Sequence, residues 1–170
     1  MQVKLASLES GRGKFTHQYA PDELGLADDR VVLVEPPLVQ GRISRDGPSV
    51  KVGGRITAGV KVECDRCLQD AALPVDTEFN LEYVTAERYA TLEAAELSEE
   101  DLELSIFDGE VIEIDEIVRE QILLAVPYQV VCQEKCKGLC PFCGKNLNSS
   151  ECNCRETEID PRWAALKDLQ

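Results

Sequence analysis

Residues 48–64 read PSVKVGGRITAGVKVEC. Val50, Val52, Ile56, Ala58, Val60 and Val62 share one parity, while Lys51, Arg55, Lys61 and Glu63 share the other. An extended chain sends alternate side chains to opposite faces, so this stretch predicts a strand with one buried side and one wet side. Downstream, ALPVDTEFNLEYV at 72–84 repeats the pattern with Leu73, Val75, Thr77, Phe79, Leu81 and Tyr83. Upstream, RVVLVEPPLVQGRI at 30–43 reads as a further strand region, in which Pro36 and Pro37 demand a break or an edge position. Gly47-Pro48 and Gly53-Gly54 read as turn or bulge points. Strands at this short spacing across residues 30–83 predict an antiparallel sheet or small barrel.

After the strands the chain turns acidic. ERYATLEAAEL at 87–97 is compatible with a helix, and SEEDLELSIFDGE at 98–110 reads as a mobile acidic loop. A flexible loop is the default reading of residues 86–111. IDEIVREQILLAVP then predicts a helix over 115–126 packed on the sheet. Asp115 is its cap, Ile117, Val118, Ile122 and Ala125 lie at helical spacing, and Pro127 ends it. The fold class is therefore α+β. The reading divides the chain into a β-rich core domain, 1–127, and a Cys-rich zinc-binding module with a C-terminal helix, 128–170. In that helix Asp160 is the cap, Pro161 takes the first helical position, and Trp163, Leu166 and Leu169 form a docking face.

Composition bounds the function. The chain has 170 residues, 44% hydrophobic and 29% charged, which suits one ordinary domain and a small appendage. No apolar run approaches the roughly 18 residues of a membrane helix. The opening MQVKLASLESGRGKF lacks a secretory apolar core and reaches Glu9 early. We therefore expect a cytoplasmic, reducing location, where disulfides do not persist. Net charge is −14, so the chain as a whole repels polyanions. The charge is uneven. Arg42, Arg45, Lys51, Arg55, Lys61 and Arg66 outweigh Asp46, Glu63 and Asp65 within 41–67, a net of +3. Residues 85–121 hold thirteen carboxylates against Arg88 and Arg119, a net of −11.

The eight cysteines carry the chemistry. Between Cys132 and Cys154 the only large apolar side chains are Leu139, Phe142 and Leu147, too few for a core. Cys140-Pro-Phe-Cys143-Gly144 has the form of a zinc knuckle: Pro141 presets φ and Gly144 suits the left-handed residue that follows. Cys152-Asn-Cys154 puts two thiols on one side of an extended segment. Together these four make C-x2-C-x8-C-x-C, a ligand set for one tetrahedral structural Zn2+. Cys132 and Cys136 are one helical turn apart, and Cys64 and Cys67 form a second C-x2-C. Three arrangements stay open for these four: a second site joining tail to sheet, ligands shared with the knuckle, or free thiols at Cys64 and Cys67. A disulfide framework, a thioredoxin-like site and an iron–sulfur cluster are weaker readings of the same residues.

An enzyme is not expected. His17 is the single histidine and reads as a structural strand residue, Ser149-Ser150 reads as a loop, and no HExxH, P-loop or dinucleotide fingerprint occurs.

VECDRCL at 62–68, CKGLCPFCGKNLN at 136–148, CNC at 152–154 and IDPRWAALKDL at 159–169 occur in that order. This pattern resembles the YceD family, named for large ribosomal RNA subunit accumulation, over nearly the whole chain. The resemblance implies a non-enzymatic cytoplasmic factor for large-subunit ribosomal RNA accumulation, processing or ribosome assembly. It carries over no catalytic residue. Some family members have the C-x-R-C element without the Cys-rich tail, which would make the tail an accessory. The expected partner is a ribosomal RNA precursor facing Arg42, Arg55 and Arg66, or a basic ribosomal protein facing the acidic residues 93–116. Neither a membrane nor a small-molecule substrate is expected. The alternative is a thiol-based redox or metal-sensing protein with Cys64 and Cys67 reactive. A zinc-ribbon transcription regulator is disfavoured by the net charge.

Overall fold

The computed structural model describes residues 1–93 and 104–154. In chain order the elements are β1 (Gln2–Lys4), two single 3₁₀ turns at Leu5–Ser7 and Glu9–Gly11, β2 (Arg12–Gln18), β3 (Val31–Asp46), β4 (Ser49–Glu63), β5 (Asp70–Thr85), α1 (Ala86–Glu93), β6 (Leu104–Phe107), β7 (Val111–Glu113) and α2 (Ile114–Ala125). One sheet runs β2-β3-β4-β5-β6, antiparallel except for β6, which lies parallel to β5. β1 and β7 form a separate antiparallel pair. Of the two expected arrangements the open sheet is the one formed. Among the described residues β2 and β6 are its edges and do not pair with each other.

The parity of β4 sets the core. Val50, Val52, Ile56, Val60 and Val62 are all at most 2% exposed. The apolar stripe of α2, Ile114, Ile117, Val118 and Ile122, is equally buried and packs over β4 and β5. Burying a side chain of this size contributes roughly 1.5–3 kcal/mol, so this layer supplies a large part of the drive to fold.

One row across the sheet explains a sequence feature that reads differently in isolation. Phe15 on β2 pairs with Gly41 on β3, Gly41 with Gly54 on β4, and Gly54 with Phe79 on β5. The two rings fold inward over the two glycines: a Cβ at Gly41 would stand 2.5 Å from the Phe15 ring, and one at Gly54 would stand 3.0 Å from that of Phe79. Gly53-Gly54 is thus neither turn nor bulge. It sits in continuous register because the rings need the missing side chain. The tight hairpin lies instead at Gly47-Pro48, where Gly47 has φ +59. The prolines do act as expected, since register shifts fall between Leu33 and Leu38, around Pro36 and Pro37.

Three further expectations change. Leu104–Phe107 is a strand rather than loop, held to β5 by its parallel register and by Phe107 edge-on to Tyr83 at a centroid distance of 6.1 Å. A single aromatic anchor outweighs the acidic composition there. Asp115 does not cap α2; it lies in the first turn and accepts from Tyr19 Oη at 2.6 Å and from the Met1 amine. Ala125, read as inward, is exposed. The helix expected from Asp160 and the acidic residues 94–103 lie outside the described residues.

Candidate metal centres

The loop joining β4 to β5 is Cys64-Asp65-Arg66-Cys67-Leu68-Gln69. Leu68 N–H donates to the Cys64 carbonyl at 2.9 Å, and Leu68 takes the left-handed conformation, φ 57, so the loop reverses tightly. This turn presents both sulfurs to one side. The polar residues between them grip the tail. Asp65 N–H donates to the Val130 carbonyl at 2.9 Å, and Val130 N–H donates back to Asp65 Oδ2 at 2.6 Å. The Arg66 guanidinium donates to the Cys136 carbonyl at 3.0 Å, and the Arg66 carbonyl accepts from Leu139 N–H at 3.0 Å. Gly138, at φ +76, permits this approach, since a Cβ there would stand 3.0 Å from the Arg66 carbonyl oxygen.

These contacts bring Cys64, Cys67, Cys132 and Cys136 into one group, all four sulfurs within 4.8 Å of one another. The Cys64 and Cys136 sulfurs are 3.9 Å apart, and those of Cys67 and Cys132 are 3.6 Å apart. A zinc–sulfur bond of about 2.3 Å implies a tetrahedral S···S edge of about 3.8 Å. The spacing therefore fits four ligands around a single ion.

The knuckle closes in the same way. Cys140 N–H donates to the Lys145 carbonyl at 2.8 Å and Gly144 N–H to the Cys140 carbonyl at 2.9 Å, with Gly144 at φ +70. Cys140, Cys143, Cys152 and Cys154 form the second group, again with sulfurs within 4.8 Å. Asn148 braces the first group. Its Nδ2 donates to Cys136 Sγ at 3.3 Å, its Oδ1 accepts from Lys137 N–H at 2.8 Å, and its own N–H donates to Asn146 Oδ1 at 2.9 Å.

The electrostatics favour a cation in each group. Burial opposes ionisation of Cys64, but the backbone N–H groups of Cys132, Arg66 and Cys67 outweigh it and bring the thiol down to about 6. The N–H groups of Cys143 and Phe142 bring Cys140 down to about 6 as well. Two thiols of each group resist, Cys67 and Cys132 in the first and Cys152 and Cys154 in the second. Burial and the neighbouring thiols push Cys132 up to about 12, and the Cys143 thiol and burial push Cys154 up to about 12. Four thiolates at this spacing repel one another, and a divalent ion at their centre removes the repulsion. A tetrahedral ion held by all four thiolates of a group would have no coordination position left for a substrate.

Of the three arginines singled out in the sequence, Arg42 and Arg55 line one depression on the outer face of the sheet, and Arg66 lies apart in the β4–β5 loop. Arg55 makes a two-point pair with Asp76, Nε at 2.6 Å and Nη2 at 2.5 Å, and holds that carboxyl below its usual range. Arg66 is engaged with Cys136. Arg42 is exposed on β3 and makes no ion pair among the described residues. His17 is half-buried, edge-on to Tyr19 and hydrogen-bonded to Glu23 at 2.9 Å, in keeping with a structural role. Asp65 and Asn148 were missed as site residues. Their only sequence signals are position, inside one C-x2-C and in the NLN that follows the other.

The family described as Large ribosomal RNA subunit accumulation protein YceD matches residues 52–170, which include both cysteine groups. The chain belongs to the YceD family. An uncharacterised protein of Mycobacterium tuberculosis is 32% identical over 89% of this chain and 70% of its own length. The uncharacterised protein YlbN of Bacillus subtilis is 28% identical over 87% of this chain and 82% of its own. The Arabidopsis thaliana large ribosomal RNA subunit accumulation protein YCED homolog 1, chloroplastic, is 36% identical over 38% of this chain and 21% of its own length. No solved structure matches this YceD-family chain. Among the described residues no helix is long and apolar enough to cross a membrane.

Proposed function

We propose that this chain is a non-enzymatic cytoplasmic factor that supports accumulation of large-subunit ribosomal RNA during its processing or assembly, and that two structural zinc ions hold its tail against its sheet. Family membership carries the reading: the matched span 52–170 contains all eight cysteines and the loop that grips the tail. The closed four-thiolate groups support a structural metal. Each ion would stand in for the apolar core that the tail lacks. The partner is a ribosomal RNA precursor or a basic ribosomal protein, with no membrane and no small-molecule substrate.

The test is a strain lacking the gene, scored for large- against small-subunit ribosomal RNA. A selective deficit of the large-subunit species, restored by the wild-type chain, is the expected result. An unchanged ratio would reject the reading. Metal analysis of the purified chain decides the cofactor: two zinc ions and no free thiol are expected. Metal-free, readily alkylated Cys64 and Cys67 would favour the redox alternative, and bound iron would replace zinc.

A further inference from the structure

We propose that the outer face of β2–β4, at the end of the sheet remote from the cysteines, docks the phosphate backbone of folded RNA. This rests on the ribosomal RNA reading above and names the surface that would serve it. Arg12 and Lys14 stand two residues apart on β2, and hence on one face. Lys14 lies directly opposite Arg42 on β3, and Arg12 opposite Ser44. Ser44 in turn is opposite Lys51 on β4. Four cations thus occupy neighbouring positions, about 5 Å apart across strands and about 7 Å along them.

Arg12, Lys14 and Arg42 make no ion pair among the described residues, while Lys51 is held at 3.4 Å by Glu82. The sequence hides this cluster, because Arg12 and Lys14 lie outside the basic stretch 41–67 and only the β2–β3 register brings them to Arg42. The surface is also shaped. A depression of about 560 Å³ is lined by these four cations and floored by Gly53 and Asn80. Gly53 leaves its floor open: a Cβ there would stand 2.5 Å from Asn80 Oδ1. A second depression of about 430 Å³ shares Lys14, Arg42, Gly53 and Asn80 and continues along the face toward Arg55 and Glu78.

The chemistry favours a nucleic-acid backbone over a protein. Protein interfaces are built around buried aromatic and apolar anchors, and the outward positions of this face carry none at this end. Cations with a few amide and hydroxyl groups suit phosphate oxygens, which position a nucleic acid without reading its bases. The face also offers no aromatic ring on which unpaired bases would stack, so a folded, base-paired RNA fits better than a single strand. With a net charge of −14, binding should be local and salt-sensitive rather than driven by long-range attraction.

The experiment titrates the metal-loaded full chain with a stem-loop of large-subunit ribosomal RNA across a salt series. The Arg12→Glu/Lys14→Glu/Arg42→Glu variant is compared with Lys4→Glu/Arg88→Glu/Lys135→Glu, which changes net charge equally on other surfaces. The first variant should bind at least tenfold more weakly at about 0.1 M salt, with a log–log salt slope flatter by about 2–3 units. The second should stay within about threefold of wild type. A neutral Gln triple at the first three sites, matched to wild type in thermal melting, should lose the same slope, which separates lost contacts from lost folding. Wild-type affinity and slope in the first variant would overturn the surface, as would equal losses in both variants or tighter binding of polyglutamate than of RNA. Failure here leaves the large-subunit deficit of the deletion strain intact, whereas an absent deficit would remove the functional reading without touching these binding curves.

Discussion

The Arg66 guanidinium donates to the Cys136 carbonyl oxygen at 3.0 Å, joining residues 70 apart in the chain. Arg66 stands between two thiol ligands, so its side chain pulls the tail toward the ion that Cys64 and Cys67 would hold. Replacing it with Ala should keep both metals yet loosen the junction. We expect a stability loss of about 1 kcal/mol, typical of one hydrogen bond, and faster hydrogen exchange at residues 136–139. Unchanged exchange there would show that the sulfurs alone hold the tail.

Metal content should follow the two groups. Cys64→Ser and Cys132→Ser should each lose one ion, as should Cys140→Ser and Cys152→Ser, while Cys64→Ser/Cys140→Ser should lose both. Mass spectrometry under native conditions counts them. Loss of both ions in Cys140→Ser alone would show shared ligands.

Chelation should release both ends of the clasp together. Hydrogen exchange should rise at residues 64–69 and 130–154, because structural zinc contributes on the order of 10 kcal/mol to segments of this kind. Val50–Val62 should stay protected, since their burial against α2 involves no metal. Exposure of β4 on chelation would make metal and sheet one cooperative unit.

Gly54→Ala should destabilise the sheet by about 3 kcal/mol. The new Cβ would overlap the Gln40 carbonyl oxygen and stand 2.9 Å from the Gly41 Cα, contacts with backbone that cannot rotate away. Gly47→Ala meets no atom but would be strained at φ +59, so its cost should be smaller. Urea unfolding of both variants compares them.

Tyr19 and Asp115 give the fold a pH signature. Burial opposes the Asp115 charge, but the Met1 amine and the Tyr19 hydroxyl outweigh it and hold the carboxyl below its usual range. A depressed carboxylate stabilises fully above about pH 4 and loses that contribution as pH falls through its folded value. Burial and the same hydrogen bond raise Tyr19, so stability should also fall as pH climbs past about 10, where the unfolded tyrosine ionises first. Asp115→Asn should flatten the acid limb of a pH–melting profile and Tyr19→Phe the alkaline limb. An unchanged profile in both would rule out this pair as the source.

Period-two alternation placed β4 and β5, and it named the inward residues of β4 correctly because a strand records its own burial in its own parity. β2 was legible only in His17, read as a strand residue, since RGKFTHQ holds one buried apolar residue, Phe15, and leaves no alternation that bounds a strand. β6 escaped because four residues among carboxylates look like loop until Tyr83 is seen beside Phe107.

Cysteine spacing followed the same division. Pro141, Gly144 and the two-residue gap already determined that the Cys140 and Cys143 thiols could face one ion, because that geometry closes within five residues. No local rule could assign Cys64 to Cys136, which meet across 72 residues, or join Arg12 and Lys14 to Arg42. Those neighbours depend on strand register and on the β4–β5 loop reaching the tail. Register is decided by packing over the whole sheet, where a one-residue slip would turn every buried side chain outward.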